Sequence, residues 1–237
     1  MNNSSDPRQP SLPMEVEQEP PPHRGLPRVA DLLIAVAVLV IASPLLVAAA
    51  AAIRLSTRGS VIYRQRRVGQ GGEIFELWKL RTMRQGADPI GVGTAVTEDD
   101  PRVTRVGRLL RRFSLDELPN LFNVLRGEMA IVGPRATLPA QVELYTPRQR
   151  RRLELKPGVT GWAQIHGRAG IPWEERIELD VWYVEHRSLA LDLRILVRTP
   201  MVLFGGLGGS APDPYAGSPP DSPLRQAAER EQAAERD

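Results

Sequence analysis

Apolar residues are concentrated in one long run near the start of the chain and otherwise recur in short periodic groups. The run, Val29 to Ile53, reads VADLLIAVAVLVIASPLLVAAAAAI. Its length is enough to cross a bilayer, for which about 20 apolar residues suffice. Ser43-Pro44 interrupts it, and proline removes a helix hydrogen bond and bends the backbone. Arg24 and Arg28 precede the run; Arg54, Arg58, Arg64, Arg66 and Arg67 follow it. The positive-inside tendency draws both flanks to the cytoplasmic side. The residues alone leave two readings open: one kinked transmembrane helix, or a helix that enters, breaks at Ser43-Pro44 and returns to the same face. Asp31 would sit at headgroup height in either.

Val61 to Met83 reads as a β-hairpin, VIYRQRRV and EIFELWKLRTM around the turn Gly69-Gln70-Gly71-Gly72. A phosphate-cradling Gly-rich loop is the sharper alternative, but no Gly-Lys-Ser/Thr follows. Lys79 and Arg81 are two apart and so share a strand face; they could grip phosphate or line a solvated edge. Gly86 to Asp100 lacks periodicity and is a loop whose Glu98, Asp99 and Asp100 form either a cation site or, more simply, a polar turn. Arg102 to Phe113 predicts a basic amphipathic helix. Val106, Leu109, Leu110 and Phe113 fall at helical spacing, and Arg105, Arg108 and Arg112 take another side. Such helices lie on anionic membrane surfaces.

The next stretch, SLDELPNLFNVLRGEMAIVGPR (114–135), sets the adjacent acids Asp116 and Glu117 among arginines. Ser114 and Glu117 have capping-box spacing, while Pro119 argues for a later helix start. Either way the two acids lie at or just before a helix N-terminus, where the macrodipole favours negative charge and phosphate. Arg111, Arg135, Lys79 and a divalent cation would supply countercharge. Further on, Thr146-Pro147 opens a polar helix that runs to Lys156 before Pro157. KPGVTGWAQIHGR reads as a Gly-rich turn with Trp162 plugging the core, and Trp173 to Leu203 has helical periodicity. His166 is a weak catalytic candidate, and His23 and His186 are weaker.

The 237-residue chain has no cysteine, which removes disulfides, thiolate catalysis and thiolate-zinc sites. Its net charge is +3, but five arginines and no acid lie between Pro101 and Arg112. Local patches of this kind seek phosphate; no nucleic-acid-binding motif accompanies this one. Residues 1–27 and 205–237 have the composition of disordered tails, leaving residues 28–204 as the folded domain. From the residues alone three classes stand: an enzyme that brings a phosphorylated substrate to a nucleophile, a lipid-binding scaffold, and a metal-dependent membrane phosphohydrolase.

Five segments together resemble the bacterial sugar transferase family, the monotopic polyprenyl-phosphate phosphoglycosyl transferases. They are Ser43-Pro44, ELWKLRTM, DPRVTRVGRLLRRFSLDELPNLFNVLRGEMAIVGPR, LKPGVTGWAQIHGR and DVWYVEHRSLALDLRIL. The resemblance covers about residues 29–204. It implies an α+β, mostly helical, membrane-associated monotopic domain with a re-entrant helix-break-helix over 29–57, interfacial amphipathic helices and a small hairpin. It implies transfer of a phosphosugar from a UDP-sugar to polyprenyl (undecaprenyl) phosphate, with UMP released and a covalent aspartyl intermediate. This is the first membrane step of exopolysaccharide, O-antigen or glycoprotein glycan assembly. Asp116 is then the nucleophile and Mg2+ ligand, and Glu117 positions metal or handles a proton. Lys79, Arg111 and Arg135 match the family's phosphate contacts, with Arg81 beside them. Localisation would be the bacterial inner membrane, with the site on the cytoplasmic face among membrane lipids and without nucleic acid; a homodimer is left open. Phe113, Asn120, Glu128, Ala136 and His166 depart from the usual pattern but leave the acids and their basic partners in place. Longer relatives carry extra N-terminal helices and a nucleotide-fold domain, for which there is no room here, so the short catalytic form is expected.

Overall fold

A computed structural model describes residues 25–87, 100–166, 171–204 and 222–234. The fold is mostly helical with two small sheets, an α+β arrangement. Helix α1 (Arg28–Ser56) holds Pro44 in its interior. Pro44 has no N–H to give the carbonyl four residues back, that of Val40. The Ser43 hydroxyl donates to that same oxygen at 2.8 Å, which gives the Ser-Pro pair a local reason. Most of the helix surface is apolar and exposed, including Leu33, Val36, Val40, Ile41, Leu45 and Val47. The body holds it on either side of an exposed middle around Pro44. At the start, Arg28 donates to the carbonyls of Val124 and Met129, and Asp31 accepts from the Ile131 N–H at 3.0 Å. Near the finish, Ala49 and Ile53 pack with Leu80 and Leu110.

Strands β1 (Ile62–Val68) and β2 (Ile74–Leu80) form the expected antiparallel hairpin, with Ile62 opposite Leu80 and Val68 opposite Ile74. The turn needs Gly71, whose φ is +66°. Helix α2 (Arg105–Arg112) is capped by Thr104, whose hydroxyl accepts from Gly107 N–H at 2.9 Å. Its apolar stripe divides: Leu110 is buried, whereas Leu109 and Phe113 are exposed. The capping box expected at Ser114 does not form. Ser114 is left-handed (φ +53°) and makes no cap bond, and Leu115–Glu117 is a single 3-10 turn. Helix α3 (Asn120–Arg126) begins only after Pro119, because proline suits the entry and not the interior.

Strand β3 (Ala130–Val132) pairs in parallel with β4 (Gly158–Thr160), Ala130 opposite Gly158 and Val132 opposite Thr160. The sequence reading took β4 for a turn; three residues are too few for alternation to show. The close approach requires glycine at 133, since a Cβ there would run into the Lys156 carbonyl and the Gly158 amide. Between these strands lie α4 (Pro139–Glu143) and α5 (Pro147–Arg150). The polar helix expected from Pro147 to Lys156 tightens to a 3-10 turn over Arg151–Glu154. Helices α6 (Trp162–Ile165), α7 (Trp173–His186) and α8 (Leu189–Phe204) complete the body. Trp162 packs at the core edge and stacks on Trp182 with centroids 4.8 Å apart.

Two segments read as tail are ordered instead. Leu26 is buried, and its N–H donates to Asp192 Oδ2 at 2.6 Å. Helix α9 (Pro223–Ala234) starts at Ser222, whose hydroxyl bonds Glu174. Its alanines, glutamates and arginines are good helix formers, and Ala227 packs against the α4–α7 cluster.

Candidate active site

Three connections converge on Asp116 and Glu117. Strand β2 carries Lys79, and Asn123 of α3 fixes that strand by accepting from the Trp78 N–H (3.0 Å) and donating to the Glu76 carbonyl (2.6 Å). Helix α2 carries Arg111, whose Nε donates to Thr82 Oγ1 at 2.8 Å. Gly107 lets α2 press on the backbone of Thr82, which a Cβ would strike. The corner after β3 carries Arg135. The acids themselves sit on the 3-10 turn between α2 and α3.

Glu117 is clamped. Its Oε1 accepts from Lys79 Nζ at 2.8 Å and from Arg135 Nη2 at 2.7 Å. Burial works against its charge, but Arg135 and Lys79 outweigh it and hold the carboxyl well below the usual range. The Arg135 guanidinium is correspondingly pushed up, chiefly by Glu117. Asp116 is only 9% exposed. Among the described residues it makes no hydrogen bond or ion pair. Burial raises its pKa, and the nearby Lys79, Arg111 and Arg135 only partly offset the effect. At Asp116 desolvation therefore outweighs the charge-stabilising helix terminus expected from the sequence, and Lys79 and Arg135 direct their hydrogen bonds to Glu117.

Arg67 is a further basic group that the sequence reading counted only as a membrane flank. Burial and the neighbouring Arg135 lower its pKa to about 10, against a pull from Glu117. It anchors on Gln65 and on the Ala136 carbonyl (3.1 Å). With Lys79, Asn120 and Arg135 it surrounds a small recess beside Glu117. Its signal in the sequence was alternation: Arg67 and Lys79 fall on facing strands of the hairpin.

Not every candidate arrives. Arg81 is held by Thr57 and the Arg58 carbonyl (2.8 Å) at the exit of α1. That makes it a clasp on the membrane helix, where the shared strand face had placed it with Lys79. Asp100 is taken by Arg102, at 2.9 Å from its Nη2. Glu98, Asp99 and His23 lie outside the described residues. His166 and His186 are exposed; His186 stacks on Trp182, and His166 packs at a tilt against Trp162.

Beside Glu117 opens a cavity of about 570 Å³. Glu117, Arg135, Gln164, Trp173 and Asp180 mark its polar side; Ile34 and Val38 of α1, with Leu196 and Leu203 of α8, mark its apolar side. The polar wall is braced by Arg152 and Asp180, a buried ion pair 3% and 1% exposed. Arg152 also donates to the Arg135 carbonyl (2.8 Å) and to Tyr145 Oη (2.6 Å). Among the described residues no three His, Cys, Asp or Glu side chains cluster as a metal cage. Mg2+ needs none, because it binds through one or two carboxylates and completes its shell with water and substrate phosphates. Asp116, unpaired beside the cation-bound Glu117, fits that requirement.

Residues 23–206 match the family described as bacterial sugar transferase. An uncharacterized sugar transferase, EpsL of Bacillus subtilis, is 46% identical over 174 residues, covering 73% of this chain and 85% of that protein. The UDP-glucose:undecaprenyl-phosphate glucose-1-phosphate transferase of Escherichia coli is 43% identical over 187 residues, 75% of this chain but 40% of that protein. A UDP-N-acetylgalactosamine-undecaprenyl-phosphate N-acetylgalactosaminephosphotransferase of Aeromonas hydrophila is 38% identical over 194 residues, 79% of this chain and 46% of that protein. The chain thus spans less than half the length of the latter two.

Proposed function

The chain belongs to the bacterial sugar transferase family, and from that premise we propose that it transfers a sugar-1-phosphate from a UDP-sugar to polyprenyl phosphate. One observation carries the reading: a buried, unpaired Asp116 adjoins a cation-clamped Glu117, and the cavity that Glu117 lines is walled in part by the long apolar helix α1. An Asp116 carboxylate oxygen attacks the β-phosphorus of the donor. The bond to the oxygen bridging the two phosphates breaks, and UMP leaves with that oxygen. In the second step a phosphate oxygen of the acceptor attacks the same phosphorus and expels Asp116, which regenerates the enzyme. Lys79, Arg111, Arg135 and Arg67 offset the charge of the diphosphate. Glu117 keeps its proton off and holds Lys79 and Arg135 in register; a carboxylate so firmly ionised is a poor base. Bound through Asp116 and the donor phosphates, Mg2+ would add countercharge on the diphosphate.

Purified protein in detergent is expected to release UMP only with a UDP-sugar, polyprenyl phosphate and magnesium together, and to stop with EDTA. Release of inorganic phosphate instead would identify a phosphohydrolase.

The way α1 is held supports a monotopic placement, which we propose is at the cytoplasmic face of the bacterial inner membrane. Its two ends are both tied to the same body, through Arg28 and Asp31 at one end and Arg81 and Ile53 at the other. The middle, around Pro44, stays exposed. Leu109 and Phe113 beside Arg105, Arg108 and Arg112 supply an interfacial face. Single cysteines at positions 29 and 57 should therefore label from the same side of sealed vesicles. Labelling from opposite sides would sink the re-entrant arrangement.

A further inference from the structure

The polar wall of the cavity holds atoms with nothing to bond. Among the described residues both amide atoms of Gln164, the indole Nε1 of Trp173 and Oδ1 of Asp180 are buried without a hydrogen-bond partner. All three side chains line the cavity shared with Glu117 and Arg135. Buried polar groups are nearly always paired, so a cluster of exceptions on one wall points to a polar ligand. Asp180 is not loosely placed: its other oxygen is bonded by Arg152 and by the Arg135 N–H (3.4 Å). The free oxygen is thus held in place by a rigid pair.

With Arg152 Nε, also buried without a partner in the same lining, the unmet groups are three donors, on Gln164, Trp173 and Arg152, and two acceptors, on Gln164 and Asp180. A phosphate, which only accepts, would leave both acceptors unused and would face the Asp180 carboxylate. Sugar hydroxyls donate and accept at once, as this set requires. The position agrees. Asp180 and Arg152 bond the backbone of Arg135, whose side chain reaches Glu117. The wall therefore lies next to the group proposed to take the β-phosphate, and in a UDP-sugar the hexose is attached to that phosphate directly. The uracil ring is separated from it by the ribose and a second phosphate. We propose that Gln164, Trp173 and Asp180 form the hexose-binding face of the donor site, an inference that rests on the transferase reading above. In the second step the sugar would stay on this face while the prenyl phosphate approaches along the apolar wall of α1 and α8.

The test uses the full chain in detergent with Gln164→Leu and Trp173→Phe, which keep much of the side-chain volume and remove the polar atoms. Each is expected to lower kcat/KM for the preferred UDP-sugar about tenfold to a hundredfold, with the inhibition constant of UMP unchanged. The thermal midpoint should hold or rise, since the replacements bury no unpaired polar atom. With a deoxy donor lacking the matching hydroxyl, wild type and variant should agree within about twofold, the signature of a shared contact. Equal losses with parent and deoxy donors, or a weakened UMP inhibition, would overturn the assignment and give the wall to another part of the ligand. Should a variant fail to fold, wild-type indifference to every deoxy donor would overturn it equally. If the wild type releases UMP from no UDP-sugar at all, the transferase reading falls and takes this inference with it.

Discussion

Asp116→Asn is expected to lower UMP release by at least about 10⁴-fold, the scale on which enzymes lose turnover when their nucleophile is removed. An amide oxygen cannot make the acyl-phosphate bond, and no second carboxylate stands ready to replace it. Glu117 is adjacent, but its charge is committed to Lys79 and Arg135. The fold should survive. Burial already penalises the ionised Asp116, so a neutral side chain of the same shape removes a cost, and the thermal midpoint should not fall. The same burial sets the pH profile. Attack needs the ionised form, and the raised pKa shifts protonation to higher pH. Activity of the wild type should therefore fall on the acid side from a pH above the ordinary carboxylate range. Full turnover by Asp116→Asn would show that Asp116 is not the nucleophile.

The largest effect on stability is expected from Arg152→Met. Arg152 is 3% exposed and bonds Asp180, Tyr145 and the Arg135 carbonyl. Removing it leaves Asp180 as a buried charge with only a long bond from the Arg135 N–H. Breaking one side of a buried pair costs about 3–5 kcal/mol, or about 10 °C in midpoint for a chain of this size. The sign with pH follows from the raised pKa of Asp180, which burial causes and Arg152 opposes. Without Arg152 that pKa rises further. A carboxyl whose folded pKa exceeds its unfolded value stabilises below the unfolded value and loses that contribution as pH rises. The variant should therefore lose more stability at neutral pH than at mildly acidic pH. Replacing both partners by apolar residues should cost less than the single change. A single variant as stable as the wild type would show that the pair braces nothing.

Much of the fold was legible because its signals are local. A 25-residue, mostly apolar run with an internal Ser-Pro, the Gly-Gln-Gly-Gly turn between alternating strands, and arginines at helical spacing each depend on neighbours in the chain. The β3–β4 pair was not legible: its strands are three residues long and pair across a wide gap in sequence. Leu26 and α9 were missed because tail-like composition hides residues whose order depends on distant contacts with Asp192 and Glu174. The site divides in the same way. The adjacent acids, Lys79 and Arg135 could be named from the sequence and the resemblance, and the structure brings Lys79 and Arg135 onto one carboxylate.

The sequence by itself determined the membrane-length segment, the hairpin, the basic helix and the family, because these lie in runs of residues and their spacing. Only the tertiary structure decided how the two acids differ. Residues 116 and 117 share a turn and a chemical type, and no pattern along the chain separates them. Folding gives Glu117 two cations and gives Asp116 a dry, unpaired seat, since charge neutralisation and desolvation depend on what surrounds a group in space. The same reason moves Arg81 from the site to the exit of α1 and brings Arg67 in.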